Sequence, residues 1–228
     1  MKEAIPMNNQ EIFRYLEQCG RLTYSTYYEG EVYSRIAGIL TADDDGIYFF
    51  ALRHKPYARQ VLASGQITIC GYHEPPAPPH PEYKMRPGFT IRVMGQVREV
   101  SPDEVAAKAP GNAAFQKLLD YDYPRYPDTV CFCLYKGKGE IFDYDFNCEK
   151  RDHKLERTRF AIGGGTFNPS GFILDGSKCV GCGQCAAVCH YDCFVPGEPY
   201  QLLGNRCDEC GNCFHACPNG AISQPLVF

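Results

Sequence analysis

Eight cysteines near the end of the chain form two copies of one spacing, C-x2-C-x2-C-x3-C, and every cysteine of the second copy lies 28 residues after its counterpart. Thiolate is a soft metal ligand, and four thiolates around a metal are typical of iron–sulfur clusters or zinc. The spacing therefore predicts a fold that gathers thiols around metal. The eight residues are Cys179, Cys182, Cys185, Cys189, Cys207, Cys210, Cys213 and Cys217.

Zinc and disulfides are the alternatives to iron–sulfur clusters. A zinc ribbon needs two C-x2-C pairs, which leaves the third and fourth cysteines of each run without a role. Structural disulfides require an oxidising compartment, and residues 1–6 do not contain the apolar stretch of a signal peptide. We therefore expect a cytoplasmic protein with reduced thiols, working where oxygen is scarce.

Residues 172–224 resemble a bacterial-type ferredoxin with two [4Fe–4S] clusters. The segment Cys179-Val180-Gly181-Cys182-Gly183 and the ending Cys217-Pro218 carry this resemblance. It implies that the first three cysteines of each run hold one cluster while the fourth ligates the other. The chain departs from the family at His190, where proline is usual, and at the additional thiol of Cys193. Cluster one is then held by Cys179, Cys182, Cys185 and Cys217, and cluster two by Cys207, Cys210, Cys213 and Cys189.

Length, charge and cysteine distribution indicate the organisation of the whole chain. Its 228 residues suffice for one ordinary domain and a small one, and nine of the fourteen cysteines lie after residue 178. A net charge of −4 argues against a nucleic-acid partner. No apolar run approaches the roughly 20 residues that a membrane helix needs, so we expect no membrane association.

Hydrophobic periodicity predicts a small β-barrel in the first part of the chain. Asn8 or Asn9 followed by Glu11 is typical of a helix start, and Gly20 ends that helix. Proline-led helices are expected at 56–62 and, after the capping box of Ser101 and Glu104, at 102–109, with more helix at 113–119. The proline-rich segment 74–81 is expected to be a loop. The predicted strands are 21–28, 31–40, 47–52, 66–72, 89–100, 129–135 and 140–144, the last two joined by a turn at 136–139.

The order of these elements resembles the pyridoxamine 5′-phosphate oxidase-like split barrel. The resemblance covers residues 8–145, and it implies an α+β fold with a split-barrel domain at 1–146, a linker at 147–171 and a ferredoxin domain at 172–228. The segments that carry it are Cys19-Gly20, Val32-Tyr33-Ser34-Arg35-Ile36-Ala37-Gly38, Gly46-Ile47-Tyr48-Phe49-Phe50-Ala51, Lys55-Pro56-Tyr57 and Phe89-Thr90-Ile91-Arg92-Val93-Met94-Gly95-Gln96-Val97.

The split-barrel resemblance implies a homodimer that binds FMN in the groove between two barrels. Ser34, Arg35 and Ile36 are then expected to face the isoalloxazine ring, and Phe49, Phe50 and Ala51 to line its edge. Lys55 is expected to hold the phosphate and Arg53 is a second candidate, since charge-assisted donors suit that group. Solvated strand or loop charge is the alternative interpretation of both residues and of Arg35. Many members have a hydroxyl residue where this chain has Ala51, and a deazaflavin or haem remains an alternative ligand.

The predicted linker contains a charged run at 149–159 followed by three glycines at 163–165. A flexible tether is one interpretation. Partial order, with Arg157, Arg159 and Phe160 docked on the barrel near a flavin phosphate, is the favoured one because electron transfer needs proximity between cofactors. Cys19, Cys70, Cys131 and Cys133 are expected to be buried thiols without a redox role. Cys148 has no assigned role.

The combination of clusters and flavin predicts an oxidoreductase in which a low-potential donor, two [4Fe–4S] clusters and FMN exchange electrons. The expected partners are a ferredoxin or other redox protein and a small-molecule substrate. An electron carrier with no substrate of its own is the second hypothesis, and a redox-sensing protein is the third. No residue stands out as a general acid or base, so the catalytic residues are unassigned.

Overall fold

The computed structural model describes residues 7–82, 84–147, 151–168 and 171–225. Cys148 and residues 1–6, on which predictions were made above, lie outside these ranges. The chain forms two compact units, each assembled from three segments. The first unit takes its described residues from Met1–Tyr72, Ile91–Gly139 and Phe160–Thr166, and the second from His73–Thr90, Glu140–Arg159 and Phe167–Phe228.

The helices are short. Among the residues that the structure describes, none of them has the length and apolar character that crossing a membrane requires. A π-helical turn lies at Leu118–Asp122, and a 3-10 turn lies at Gly204–Arg206. The α-helices are α1 (Asn9–Cys19), α2 (Pro56–Ser64), α3 (Pro102–Lys108), α4 (Ala113–Lys117), α5 (Tyr123–Arg125), α6 (Gln184–Ala187) and α7 (Asn212–Ala216).

In the described part of the chain, eight strands form one large sheet, and four more form two small sheets. The strands are β1 (Leu22–Tyr28), β2 (Glu31–Ala37), β3 (Thr41–Asp43), β4 (Gly46–Leu52), β5 (Gln66–His73), β6 (Gly88–Val100), β7 (Thr129–Tyr144), β8 (Leu155–Ile162), β9 (Ile173–Leu174), β10 (Phe194–Val195), β11 (Gln201–Leu202) and β12 (Ile222–Ser223).

The large sheet has the order β2-β1-β5-β6-β7-β4-β3, with β8 also paired to β7. The pairings of β1 with β2 and β5, of β3 with β4 and of β4 with β7 are antiparallel. The predicted fold class, an α+β chain with an antiparallel barrel-type sheet, is confirmed.

Helix starts in the first unit follow the predicted capping chemistry. The Asn8 side chain accepts a hydrogen bond from the Glu11 N–H at 2.9 Å, and the Glu11 carboxylate accepts one from the Asn8 N–H at 2.9 Å. Ser101 accepts from the Glu104 N–H at 3.1 Å at the start of α3. Each contact satisfies a helix N–H that has no partner within the helix.

The prediction of a turn at 136–139 is wrong, because β7 runs unbroken from Thr129 to Tyr144. The glycines there serve a close approach between strands instead. A Cβ atom on Gly137 would lie 2.2 Å from the Met94 carbonyl oxygen, and one on Gly95 would lie 2.3 Å from that of Lys136. Only glycine allows the two backbones to approach so closely.

Two further boundaries differ from the predictions. The hairpin with the Asp45-Gly46 turn joins β4 to the short strand β3, whereas β2 pairs with β1. Residues 155–162, inside the predicted linker, form strand β8. Part of the linker is therefore ordered.

Aromatic side chains fill the core of the first unit. Phe49 stacks on Phe132 with ring centroids 5.2 Å apart and meets the edge of Tyr24 at 5.4 Å. A second group of buried residues forms around Tyr48 and Phe115, whose rings meet edge to face at 4.9 Å. Tyr48 and Phe49 are consecutive on β4, so both faces of this strand are buried at these positions.

The second unit has a small core built around cysteines. Strands β9 and β12 form one two-stranded sheet, and β10 and β11 form the other. Phe172, Phe194 and Ile222 are buried among six or more cysteine side chains. A core with so few large apolar residues is typical of small domains in which metal binding supplies much of the folding free energy.

Candidate functional site

The first cysteine site is a small cavity in the second unit. Its wall includes Cys179, Cys182 and Cys185 from the first run and Cys217 from the end of the second. The structure thus brings together the four residues that the sequence assigned to cluster one.

The second cysteine site is a cavity of the same kind. Cys207, Cys210 and Cys213 line it together with Cys189, the last cysteine of the first run. Cys193 lines the same cavity and is buried. The predicted four ligands of cluster two therefore lie together, with a fifth thiol beside them.

Glycines and short helices position the cysteines of both sites. Gly183 and Gly211 are equivalent positions of the repeat, and their φ angles of 77° and 87° lie in the left-handed region that glycine adopts without a steric penalty. Helices α6 and α7 begin directly after them. The third cysteine of each run, Cys185 or Cys213, lies in its helix and is buried.

Backbone N–H groups point at three of the cysteine sulfurs. The N–H of Glu209 lies 3.3 Å from Cys207 Sγ, that of Ala221 3.3 Å from Cys217 Sγ, and that of Cys193 3.4 Å from Cys189 Sγ. Hydrogen bonds to sulfur favour the thiolate, which is the form that binds metal.

The thiol pKa values differ within the second site. A hydrogen bond from the Cys193 thiol lowers the pKa of Cys189 to about 5, whereas burial raises the pKa of Cys213 to about 11. A coordinating metal deprotonates its thiol ligands outright. Metal loading of Cys213 at neutral pH is therefore accompanied by release of a proton.

The donor set fits two four-thiolate clusters. Within the described part of the chain, no three Cys, His, Asp or Glu side chains converge on a point suited to one metal ion. The cysteines instead surround two cavities, four from the predicted sets at each, and four thiolates per cluster is the usual ligand set of [4Fe–4S] centres.

Arg35 of the first unit is held by neighbours on the inner side of β2. Its guanidinium donates to Thr26 Oγ1 at 3.1 Å and to Gln60 Oε1 at 2.6 Å, and Cζ lies 4.7 Å from the ring centroid of Tyr57. Gln60 and Tyr57, both on α2, were not identified from the sequence as neighbours of Arg35. Their separation from it along the chain left no signal by which to find them.

The other predicted flavin contacts divide between the two faces of the sheet. Ser34 and Ile36 face outward on β2, with Ile36 64% exposed, and Phe50 is exposed on β4. Phe49 and Ala51 point into the core, where Phe49 is 1% exposed. Their predicted roles at the edge of a flavin ring stay predictions.

The two predicted phosphate ligands lie just before α2. Arg53 forms an ion pair with Glu99, and both side chains are exposed. Lys55 is exposed at the N-cap of α2, where Pro56 begins the helix. Lys55 is thus a cation close to backbone N–H groups at a helix start.

A cleft of about 760 Å³ opens on the first unit. Small-molecule sites in proteins typically measure about 300–1,000 Å³. None of the eight predicted flavin contacts is among the described residues that line it, but Ser25, which does, is hydrogen-bonded to Ser34 at 2.8 Å. The lining includes Ser25, Tyr27, Thr68, Gln96, Lys136 and Lys138.

The remaining described cysteines are free thiols. Burial raises the pKa of Cys131 to about 12 and that of Cys133 to about 11, so both stay protonated at neutral pH. Cys19 is partly buried, and its pKa rises to about 11 for the same reason. The prediction that Cys70 is buried is wrong, because Cys70 is exposed on the outward face of β5.

Comparison with known proteins finds one matching family model and several similar solved structures. Residues 204–223 match the model of the 4Fe–4S binding domain. This match supports at least one [4Fe–4S] cluster in the second unit. No curated protein matches the chain at a significant level.

Solved structures resemble the part of the chain that includes the large sheet. A NimC/NimA family protein from Clostridium acetobutylicum is 17% identical, with 68% of this chain and 92% of that chain covered and a TM-score of 0.50. PhzG from Burkholderia lata 383, in complex with tetrahydrophenazine-1-carboxylic acid, is 16% identical over 65% and 89% of the chains, with a TM-score of 0.43. A pyridoxamine 5′-phosphate oxidase-related, FMN-binding protein from Nostoc punctiforme PCC 73102 is 15% identical over 66% and 94%, with a TM-score of 0.42. The likeness to the NimC/NimA family protein shows the split-barrel fold, and the family match adds a 4Fe–4S binding segment at residues 204–223.

Proposed function

We propose that this protein is an iron–sulfur flavoprotein oxidoreductase that passes electrons between a low-potential donor, two [4Fe–4S] clusters and FMN, and reduces a small-molecule acceptor. The observation that carries the proposal is the exchange of the fourth cysteines. Cys217 lies with the first run and Cys189 with the second, so each cavity has four thiols from the predicted sets. The 4Fe–4S match over residues 204–223 supports the same conclusion.

The fold supports the flavin part of the proposal, and the cleft, which the predicted flavin contacts do not line, is a separate candidate site for a small molecule. The cleft has the volume of a small-molecule site, and Lys136 and Lys138 bring positive charge to it. Arg53 and Lys55 are the proposed phosphate ligands, with Ser34 and Phe50 beside the ring system. A deazaflavin or haem in the same place is the alternative ligand.

The outward face of β2, β1 and β5 supports a homodimer. Cross-strand pairing places Val32 opposite Tyr27 and Ile36 opposite Thr23, and Val32 is 71% exposed. A contiguous patch of exposed apolar side chains on a protein surface indicates a site of contact with a partner. We propose that a second copy of this chain covers this face.

When bound, the clusters supply one-electron transfer and the flavin supplies one- or two-electron transfer. The thiolates of the eight cysteines hold the metal, and the N–H groups of Glu209 and Ala221 stabilise charge on two of them. We propose a cytoplasmic location and a ferredoxin or similar redox protein as electron donor.

An anaerobic reductive titration of the purified protein tests the proposal. Two one-electron clusters and one flavin take up about four electrons per chain. Uptake of about two electrons, with no flavin absorbance, would contradict the flavin part.

Reoxidation of the reduced protein separates an enzyme from a carrier. An oxidoreductase with its own substrate is reoxidised by a small acceptor in the absence of any second protein. Reoxidation only by a protein partner would support the carrier instead.

A further inference from the structure

Four charged side chains form a largely buried network in the second unit. Glu140 lies on β7, Arg157 and Arg159 lie on β8, and Glu209 lies in the loop between Cys207 and Cys210. The side chains of Glu140, Arg157 and Arg159 are 6%, 9% and 2% exposed, and that of Glu209 is 22% exposed. We call these four residues the arginine network.

The network is held together by hydrogen-bonded ion pairs. Arg157 Nη1 donates to Glu140 Oε1 at 2.6 Å, and Arg159 Nε donates to Glu140 Oε2 at 2.8 Å. Arg159 Nη2 donates to Glu209 Oε1, which also lies 3.7 Å from Arg157 Nε. Two positive and two negative charges compensate one another, which is the condition for burying charge at acceptable cost.

The network contacts the loop that carries the ligands of cluster two. Arg157 Nε donates to the carbonyl oxygen of Cys207 at 3.0 Å. Glu209, two residues further on, directs its N–H to Cys207 Sγ at 3.3 Å. The loop is therefore held at two points. The backbone carbonyl of Cys207 is bonded to Arg157, and the side chain of Glu209 is bonded to Arg159.

The internal repeat shows that Glu209 is an unusual residue at its position. Its φ of 62° lies in the left-handed region, and its counterpart 28 residues earlier is Gly181, with φ 67°. A glutamate in that conformation is strained where glycine is not. The ion pair with Arg159 compensates for the strain, and the first run has a glycine, with no side chain to pair with an arginine, at the equivalent position.

We propose that the arginine network positions the Cys207–Cys210 loop and sets the reduction potential of cluster two, so that the two clusters differ in potential. This inference rests on the proposed function, since it requires both clusters. Addition of one electron makes a thiolate-ligated cluster more negative by one charge. The positive charge of Arg157 beside Cys207 stabilises the reduced state, and the negative charges of Glu140 and Glu209 oppose it. Burial limits screening of these charges by solvent and salt.

Potentiometric titration of the anaerobic holoprotein, followed by EPR and visible absorbance, tests the inference with variants of opposite sign. Arg157→Gln removes a positive charge, so the midpoint potential of one cluster is expected to shift to a more negative value. Glu140→Gln removes a negative charge, so the same midpoint is expected to shift to a more positive value. The midpoint of the other cluster stays in place and serves as the internal reference.

Two further variants separate charge from folding. Arg157→Lys keeps the charge, and its midpoint is expected to stay closer to wild type than that of Arg157→Gln. Lys178→Gln changes a solvent-exposed charge beside Cys179 and is expected to shift neither midpoint appreciably, because water screens it. If Arg157→Gln fails to accumulate, Glu140→Gln alone still gives the sign.

The outcomes distinguish this inference from the proposed function. Suppose that the wild-type protein has two clusters but that neither midpoint changes in Arg157→Gln and Glu140→Gln, or that the midpoint shifts in the same direction in both variants. Either result overturns the network's role and leaves the proposed function intact. Wild-type protein without two clusters overturns both.

Discussion

Gly181 and Glu209 occupy equivalent positions in the two cysteine runs and share a left-handed backbone, with φ angles of 67° and 62°. The loop of the first C-x2-C pair therefore has this conformation at its second intervening residue in both runs. Glycine adopts it without steric cost, whereas any residue with a Cβ atom must be compensated. In the second run Arg159 supplies the compensation through its ion pair with Glu209.

Substitution of Gly181 by alanine is expected to destabilise the first cluster site by about 1–2 kcal/mol, because alanine is strained at a positive φ. A Cβ atom there would also lie 2.7 Å from Glu198 Cγ. Chemical denaturation and the rate of iron loss measure the effect. Gly38→Ala is the matched control, since a Cβ atom at Gly38 meets no atom within 4 Å and its φ is not positive. Equal stability of the two variants would contradict the explanation.

Cys189 and Cys193 compete for the role of fourth ligand to cluster two. Both line the cavity with Cys207, Cys210 and Cys213. If Cys189 is the ligand, the iron content of Cys189→Ala is expected to be about half that of wild type, since one of two four-iron clusters is lost. Cys193→Ala is expected to keep the full iron content. The reverse result would make Cys193 the ligand.

The large sheet and the cysteine sites show how far the sequence could predict this protein. The fold of the cysteine loops follows from local spacing, and the caps at Asn8 and Ser101 follow from side chains three residues from their partners. Such local rules are visible in a sequence. The predicted grouping of cysteines across the two runs comes instead from the resemblance to two-cluster ferredoxins, and the predicted fold class comes from the order of the elements and their resemblance to the split barrel.

Long-range packing set the features that the sequence did not predict. Arg157 donates a hydrogen bond to the carbonyl oxygen of Cys207, 50 residues further along the chain, and no sequence pattern predicts that contact. The glycines and lysines at 136–139 have the composition of a turn, but Gly137 lies within β7 and allows β6 and β7 to approach closely. The continuous apolar run of β4 shows no alternation, so the sequence could not tell that Phe49 points inward and Phe50 outward.

Substitution of Ile36 by lysine is expected to convert the proposed homodimer into a monomer. Ile36 lies on the outward face of β2, and a buried lysine charge at a subunit interface costs several kcal/mol. Size-exclusion chromatography with light scattering measures the mass. Leu62→Lys, at an exposed position on α2, is the control and should leave the mass unchanged. A wild-type monomer, or an Ile36→Lys dimer, would exclude this face as the interface.

The ion pair between Arg98 and Glu104 predicts a dependence of stability on pH. The hydrogen bond from Arg98 lowers the pKa of Glu104 below its ordinary value. A lowered pKa in the folded state contributes stability above the ordinary value, and this stability is lost as pH falls through the folded pKa. Because both side chains are partly exposed, the contribution is about 0.5 kcal/mol.

Urea denaturation from neutral pH to well below 4.5, the ordinary pKa of a glutamate, checks this expectation. Arg98→Gln should be less stable than wild type at neutral pH, and the difference should shrink as Glu104 becomes protonated. Arg125→Gln removes a charge that bonds tyrosine hydroxyls, so its difference from wild type should not vary in this way. A constant difference for Arg98→Gln would show that the pair does not couple stability to protonation.

The iron and acid-labile sulfide content of protein purified without air tests the central claim most directly. Two [4Fe–4S] clusters held by the eight cysteines predict about eight irons and eight sulfides per chain. Intact protein with fewer than about four irons per chain would contradict the two-cluster account.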